Sequence, residues 1–179
     1  MTLRARETLE TPRLTARRVT PDDVAEIAEM DADPRVTAMT YGVQTLAETT
    51  ARLARWAALW DERGFGPWVF STREPVLMVG IGGLFPSRFA APDIELGYVL
   101  KAAHWGLGYA TEIEHASLAV GFGDLGLTRI IAIASSANGA SRRVMEKAGM
   151  RFERELEGGY GETSVLYAID RDSWLAGHT

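Results

Sequence analysis

Between residues 93 and 135 the chain runs "DIELGYVL", a junction "KAAHWGLGYAT", a stretch with helical spacing, and then "TRIIAIAS". Two apolar runs of strand length on either side of one helix make a βαβ unit, which requires parallel strands and a crossover. This unit constrains the fold more than any other feature. Gly106 and Gly108 fall in its crossover loop and helix start, although glycine inside a helix costs roughly 1 kcal/mol against alanine. A helix N-terminus carries unpaired N–H groups and a partial positive charge, and glycines let successive amides form a concave nest for a diphosphate. A tight turn accounts for a bare G-x-G about as well.

Other elements assemble around this unit. "RLTARRV" (13–19) alternates as a first strand. Thr20 and Pro21 open a helix with Val24, Ile27 and Ala28 on one face, running to about Asp31, and "DPRV" breaks it because the residue before Pro34 is pushed out of helical geometry. Thr45 and Glu48 form a capping box for the longest helix, whose Leu46, Thr49, Leu53, Trp56, Ala57 and Trp60 make a buried stripe before Gly64 stops it. Segments 67–73 and 76–85 form a hairpin around "EP". The crossover helix covers about 107–122, with Ala110, Ile113, Ser117 and Val120 inward. Another helix runs from Asn138 to Gly149, and "MRFERELE" and "ETSVLYAID" close the chain as two strands around "GGYG". With no repeat and no linker, residues 1–179 are expected to form a single domain of α/β class, an α+β mixed sheet.

Composition narrows the chemistry. The 179 residues are 46% hydrophobic and 24% charged, which supports a packed core. A net charge of −5 without a basic block disfavours nucleic acid as partner and suits a cationic acceptor such as an amine. There is no cysteine, so thiolate zinc sites, disulfides and thiol nucleophiles are excluded. His104, His115 and His178 lack metal-ligand spacing and read as incidental; no metal is expected. Neither a signal-peptide core nor an apolar run of roughly 18 residues is present, giving the expectation of a cytoplasmic protein with no membrane partner.

The glycine loop fits neither a Rossmann fingerprint, since Thr111 stands where glycine or alanine is needed, nor a G-x-x-x-x-G-K-[ST] loop. "NGASRRVMEKAGM" (138–150) follows the next strand, with Asn138 as cap of a helix emerging at the same end of the sheet. Two helix N-termini would then flank one cleft.

"GYVLKAAHWGLGYATE" followed by "NGASRRVMEKAGM" resembles the two acetyl-CoA motifs of the GNAT acetyltransferase superfamily, and "TPRLTARRVTPDDV" with "DPRV" is similar to the opening of its RimJ/RimL-type branch. The resemblance covers essentially the whole chain. It implies a GNAT-like fold, a central mixed six- to seven-stranded sheet flanked by about four helices. It places Trp105 at the usual Arg/Gln position of the glycine loop, as in the RimJ/RimL branch, Gly108 at the first glycine and Ala110 at the last. Amides from Gly106 through Leu107, Gly108, Tyr109 and Ala110 to Thr111 would hold the pyrophosphate of acetyl-CoA. Backbone groups at Val99 and Leu100 would pair with the pantetheine like an added strand. Asn138 would bond the pantetheine arm, and Arg142 or Arg143 the adenosine phosphate, unless these arginines are simply an exposed helix face.

The implied reaction is direct attack of a primary amine on the thioester, the amine belonging to a protein N-terminus or a small molecule. Glu95, on the strand leading into the loop, is the candidate base, directly or through water; its face is equally compatible with cleft or solvent. A backbone amide near Val99 or Leu100 would stabilise the oxyanion. The tyrosine that many GNAT enzymes place seven residues after the asparagine is Met145 here. Ser141 stands where RimJ/RimL-type relatives offer a hydroxyl near the sulfur, to stabilise the departing thiolate, although serine also serves as a helix cap. Tyr41 and Tyr160 lie in loops that border an acceptor pocket or, the favoured reading, are ordinary exposed loop residues. A catalytically silent acyl-CoA-binding module is the alternative, and another type of nucleotide-binding enzyme a weaker one. Members of the family often dimerise.

Overall fold

Eight strands form one mixed sheet in the order β1-β2-β3-β4-β5-β6-β8-β7 in the computed structural model, which describes residues 3–177. The strands are β1 (Thr8–Glu10), β2 (Leu14–Arg18), β3 (Pro67–Thr72), β4 (Met78–Pro86), β5 (Ile94–Leu100), β6 (Arg129–Ser135), β7 (Arg151–Glu157) and β8 (Thr163–Asp170). Among the described residues the α-helices are α1 (Val24–Asp31), α2 (Pro34–Thr37), α3 (Leu46–Arg63), α4 (Tyr109–Gly123), α5 (Gly139–Lys147) and α6 (Arg171–Ala176).

Every neighbouring pair is antiparallel except β5 with β6, the strands of the βαβ unit, joined by α4. That pair is in register at one position, Glu95 opposite Ile131. Beyond it, Leu96–Leu100 and Ala132–Ser135 have no partner across the junction, whereas β5 is paired along its full length to β4 and β6 along its full length to β8. The sheet therefore opens into a gap at the C-terminal ends of β5 and β6.

Local chemistry accounts for the elements flanking this gap. Thr45 and Glu48 bond each other's backbone N–H in a capping box, and Gly64 ends α3 at φ 75°. The inward stripe of α3 holds as far as Thr49, Leu53 and Trp60, which are at most 1% exposed. Trp60 meets Trp68 edge to face at 5.2 Å between centroids and donates its indole N–H to the Pro67 carbonyl at 2.9 Å, so its polar atom is satisfied inside the core. Leu46 departs from the stripe and is 63% exposed, because it is the first helical residue and has no turn behind it to pack under.

The sheet has one strand more than the upper end of the six to seven expected, and there are six α-helices rather than about four among the described residues. β1 contributes only Leu9 to the core, too little alternation to announce a strand. Asp33 is extended, as a residue before proline should be, but its side chain caps a one-turn α2. No helix among the described residues is long and apolar enough to cross a membrane.

Candidate active site

The loop entering α4 is open. Trp105, Gly106, Leu107 and Gly108 are all exposed, and the two glycines sit at φ 74° and 81°, left-handed values that side chains with a Cβ rarely adopt. Among the described residues, a Cβ on Gly106 would meet no atom within 4 Å beyond its chain neighbours. Gly108 is itself the N-cap and α4 has no side-chain cap, so the first amides of α4 lack the satisfaction that Thr45 gives α3 and Asn138 gives α5. Tyr109, Ala110 and Thr111 are half-buried in the first turn. The indole of Trp105 donates to the Leu100 carbonyl at 3.0 Å and ties the loop to the end of β5. Open space over Gly106 beside an uncapped helix start leaves room for a diphosphate.

Arg13 holds this loop in place, a role sequence reasoning missed because its partners lie about a hundred residues away. It donates to the Leu107 carbonyl at 2.7 Å and to Glu112 at 2.7 Å, and its guanidinium lies 4.7 Å from the Tyr109 ring centroid. Burial pushes the Glu112 carboxyl up, but the bonds from Thr11 and Arg13 outweigh it and hold it below the ordinary carboxylate range.

The other wall of the gap is the start of α5. The Asn138 side-chain oxygen accepts the Ser141 N–H at 3.1 Å, so Asn138 is the cap and the Ser141 hydroxyl is not. That hydroxyl instead faces β5, where the Tyr98 phenol donates to it at 3.5 Å across the gap. Burial raises the Tyr98 pKa well above that of a free phenol, so it stays a donor. Met145 is buried in the core. Arg142 donates to the Tyr167 hydroxyl at 3.3 Å, within a group that includes Glu146, while Arg143 is exposed. Strand alternation bears on Val99. Lys101 N–H donates to the Val79 carbonyl at 3.0 Å, so Val99, opposite Ile81, turns its backbone to β4. Tyr98 and Leu100 turn theirs to the gap. Leu100 thus faces the side on which the pantetheine is expected, and Val99 faces away from it.

Glu95 stands at the last rung before the gap. It is 1% exposed, which decides against a solvent-facing position. The Tyr160 hydroxyl donates to its Oε1 at 2.9 Å and the Ser87 hydroxyl to its Oε2 at 2.8 Å. Burial drives its pKa upward, against the pull of these donors and of Arg88. Tyr160 is thus not the ordinary exposed loop residue that its "GGYG" context suggests: it is half-buried and packs edge to face on Phe89 at 5.4 Å. Tyr41 is likewise half-buried, donating to Asp31 at 2.7 Å with its ring 4.4 Å from the Arg52 guanidinium. Asp31 also takes bonds from Thr49 and Arg52, so this cluster braces the loop ahead of α3. His178 lies outside the described residues.

The acetyltransferase (GNAT) domain matches residues 13–151. The chain is 30% identical over 151 residues to the uncharacterized N-acetyltransferase YoaA of Bacillus subtilis, covering 83% of this chain and 85% of that protein. Over 193 residues it is 28% identical to the FsC-acetyl coenzyme A-N(2)-transacetylase of Aspergillus fumigatus, covering 98% of this chain and 81% of that one. A crystal structure of an acetyltransferase from Agrobacterium tumefaciens superposes with a TM-score of 0.80 at 27% identity, covering 90% of this chain and 93% of the other. The chain belongs to the GNAT acetyltransferase family. It is an acetyl-CoA-dependent acyltransferase, and acetyl transfer to amines is the chemistry its family performs.

Proposed function

We propose that the protein transfers the acetyl group of acetyl-CoA directly to a primary amine, with the coenzyme lying in the gap between β5 and β6 and the amine entering beside Glu95. The observation that carries this reading is the single rung between β5 and β6, which leaves the ends of two parallel strands unpaired next to an open glycine turn and a capped helix start. In it, amides from Gly106 to Thr111 bind the pyrophosphate, and Tyr98 and Leu100 offer backbone groups to the pantetheine. Asn138, its oxygen spent on Ser141, offers its side-chain NH2 to the same arm. Arg142, tied to Tyr167, is the weaker candidate for the adenosine phosphate, and exposed Arg143 the better one.

Glu95 serves as base, with its raised pKa placing proton uptake closer to neutrality than an ordinary carboxylate would. Ser141, receiving a bond from Tyr98, stabilises the departing thiolate. The hydroxyl that Met145 does not supply on α5 comes instead from β5. The likeness of the N-terminal segment to the RimJ/RimL branch favours a protein N-terminus as acceptor. An α-amino group with pKa near 8 is also neutralised far more readily than a lysine near 10.4.

Thiol release from acetyl-CoA across a panel of amines and N-terminal peptides, with mass spectrometry of the product, tests this. Acceptor-dependent release and an acetylated amine are expected. CoA binding without release for any acceptor would make the protein a silent acyl-CoA-binding module instead. Gly108→Val is the companion variant: a branched residue at φ 81°, its Cβ 3.3 Å from the Arg13 guanidinium, should weaken CoA binding at least tenfold. Undiminished affinity would remove the glycine loop from the coenzyme site.

A further inference from the structure

We propose that Tyr160 is a catalytic residue, its hydroxyl relaying a proton from the acceptor ammonium to Glu95. The inference rests on the reading of Glu95 as base and supplies what that reading lacks, a path to a carboxylate no acceptor can touch. Glu95 is 1% exposed and both its oxygens are taken, one by Tyr160 at 2.9 Å and one by Ser87 at 2.8 Å. Those two hydroxyls are the groups in contact with it through which a proton can pass. Ser87 is itself 7% exposed, and its oxygen accepts the N–H groups of Phe89 at 3.3 Å and Ala90 at 3.2 Å, so it closes the inner side of the pocket. Tyr160, half-buried as a residue, is the less enclosed of the two and the outward door.

The phenol is held for this task. Its turn joins β7 to β8 through two left-handed glycines, Gly158 at φ 74° and Gly159 at φ 92°. The Tyr160 N–H donates to Ser164 at 3.0 Å, and Phe89 packs against the ring. The turn also rests on the end of β6: Ser136 N–H donates to the Thr163 carbonyl at 3.0 Å, and a Cβ on Gly161 would lie 2.9 Å from the Ser135 hydroxyl. Tyr160 is therefore fixed at the mouth of the gap.

The charges around it favour a concerted relay over a tyrosinate. Burial first, then the Glu95 carboxylate, and Tyr41 push the Tyr160 pKa far up, with Arg88 opposing; the same Arg88 faces Glu95. The phenol thus gives its proton only as it receives another. The ammonium N–H proton passes to the Tyr160 oxygen as the Tyr160 proton passes to Glu95 Oε1. The neutral amine's lone pair forms the C–N bond, and the C–S bond breaks with its electrons on sulfur. The second amine proton neutralises the thiolate, and Glu95 returns its proton to solvent. Charges and protons balance with no further reactant.

The test is Tyr160→Phe in the full-length protein with the best amine from the acceptor panel. At neutral pH kcat should fall about a hundredfold, with the KM for acetyl-CoA and the affinity for CoA unchanged. The loss should shrink as pH rises past the amine's own pKa, where no proton needs relaying and recovery also proves the variant folded. Because the two groups act in series, Tyr160→Phe combined with Glu95→Gln should lose no more than either alone. Wild-type turnover by Tyr160→Phe, a loss constant with pH, or multiplying losses in the double variant would each overturn the relay. Absence of acceptor-dependent release by the wild type would instead overturn the acetyltransfer reading itself, and the relay with it.

Discussion

Glu114→Gln isolates a group that the chemistry above leaves unused. Glu114 lies on α4 with no exposed surface, and among the described residues neither of its carboxylate oxygens has a hydrogen-bond partner. The Ser117 hydroxyl, one turn on, is also unpartnered. Burial pushes the Glu114 pKa from 4.5 up to about 8, so the folded protein holds this proton across a range in which the unfolded chain has released it. Stability is then highest below the unfolded pKa and falls as pH rises from about 4.5 to about 8, levelling off above. At ~1.4 kcal/mol per pH unit the full loss is about 5 kcal/mol. Glutamine keeps the shape and cannot ionise. Asp23, Glu112 and Asp124, whose carboxyls are held low, and Glu95, which is held high, titrate identically in both proteins and cancel in the comparison. Urea unfolding at about pH 5 should find the two proteins within about 1 kcal/mol of each other, and at about pH 8.5 the variant ahead by several. A change of that size moves the melting temperature by roughly 10–20 °C in a domain of this length. Stability curves that run parallel across that pH range would mean that Glu114 is ionised or solvated in the folded state, and that burial does not hold its proton.

Two further outcomes follow from contacts described above. Arg13→Ala removes the bonds that hold the Leu107 carbonyl and Glu112; titration calorimetry should show CoA affinity reduced several-fold, and equal affinity would mean the loop keeps its shape unaided. Leu53→Ala empties a site that is 1% exposed and should cost about 2–5 kcal/mol in denaturant unfolding, with a cost below about 1 kcal/mol arguing that α3 packs loosely.

The βαβ unit is legible because both its strands are apolar runs and its junction carries two glycines; nothing else in the chain repeats that pattern. The longest helix is legible from its capping box and its terminal glycine. Those signals are local, and so is the backbone that answers them. Pairing across distance is not written in any such signal. Tyr160 sits in a turn of glycines that looks like solvent-exposed chain, and only the sheet order brings its hydroxyl to Glu95, sixty-five positions away. Tyr98 stands in plain view on an apolar strand, yet its bond to Ser141 depends on how far β5 and α5 stand apart. That the backbone of Tyr98, and not of Val99, faces the gap follows from the parity of hydrogen bonding to β4, which the register between the two strands fixes.

The lone rung between β5 and β6 has a mechanical meaning as well. It leaves two antiparallel blocks, β1–β5 and β6–β8, joined along the sheet by one ladder rung and braced by α4, which packs on β4, β5, β6 and α5. A ligand lying between the blocks bridges them as a wedge bridges two halves of a split plank. Under the proposed binding mode the coenzyme is then a structural member as well as a reactant, and each round of turnover ends by loosening the protein that performed it.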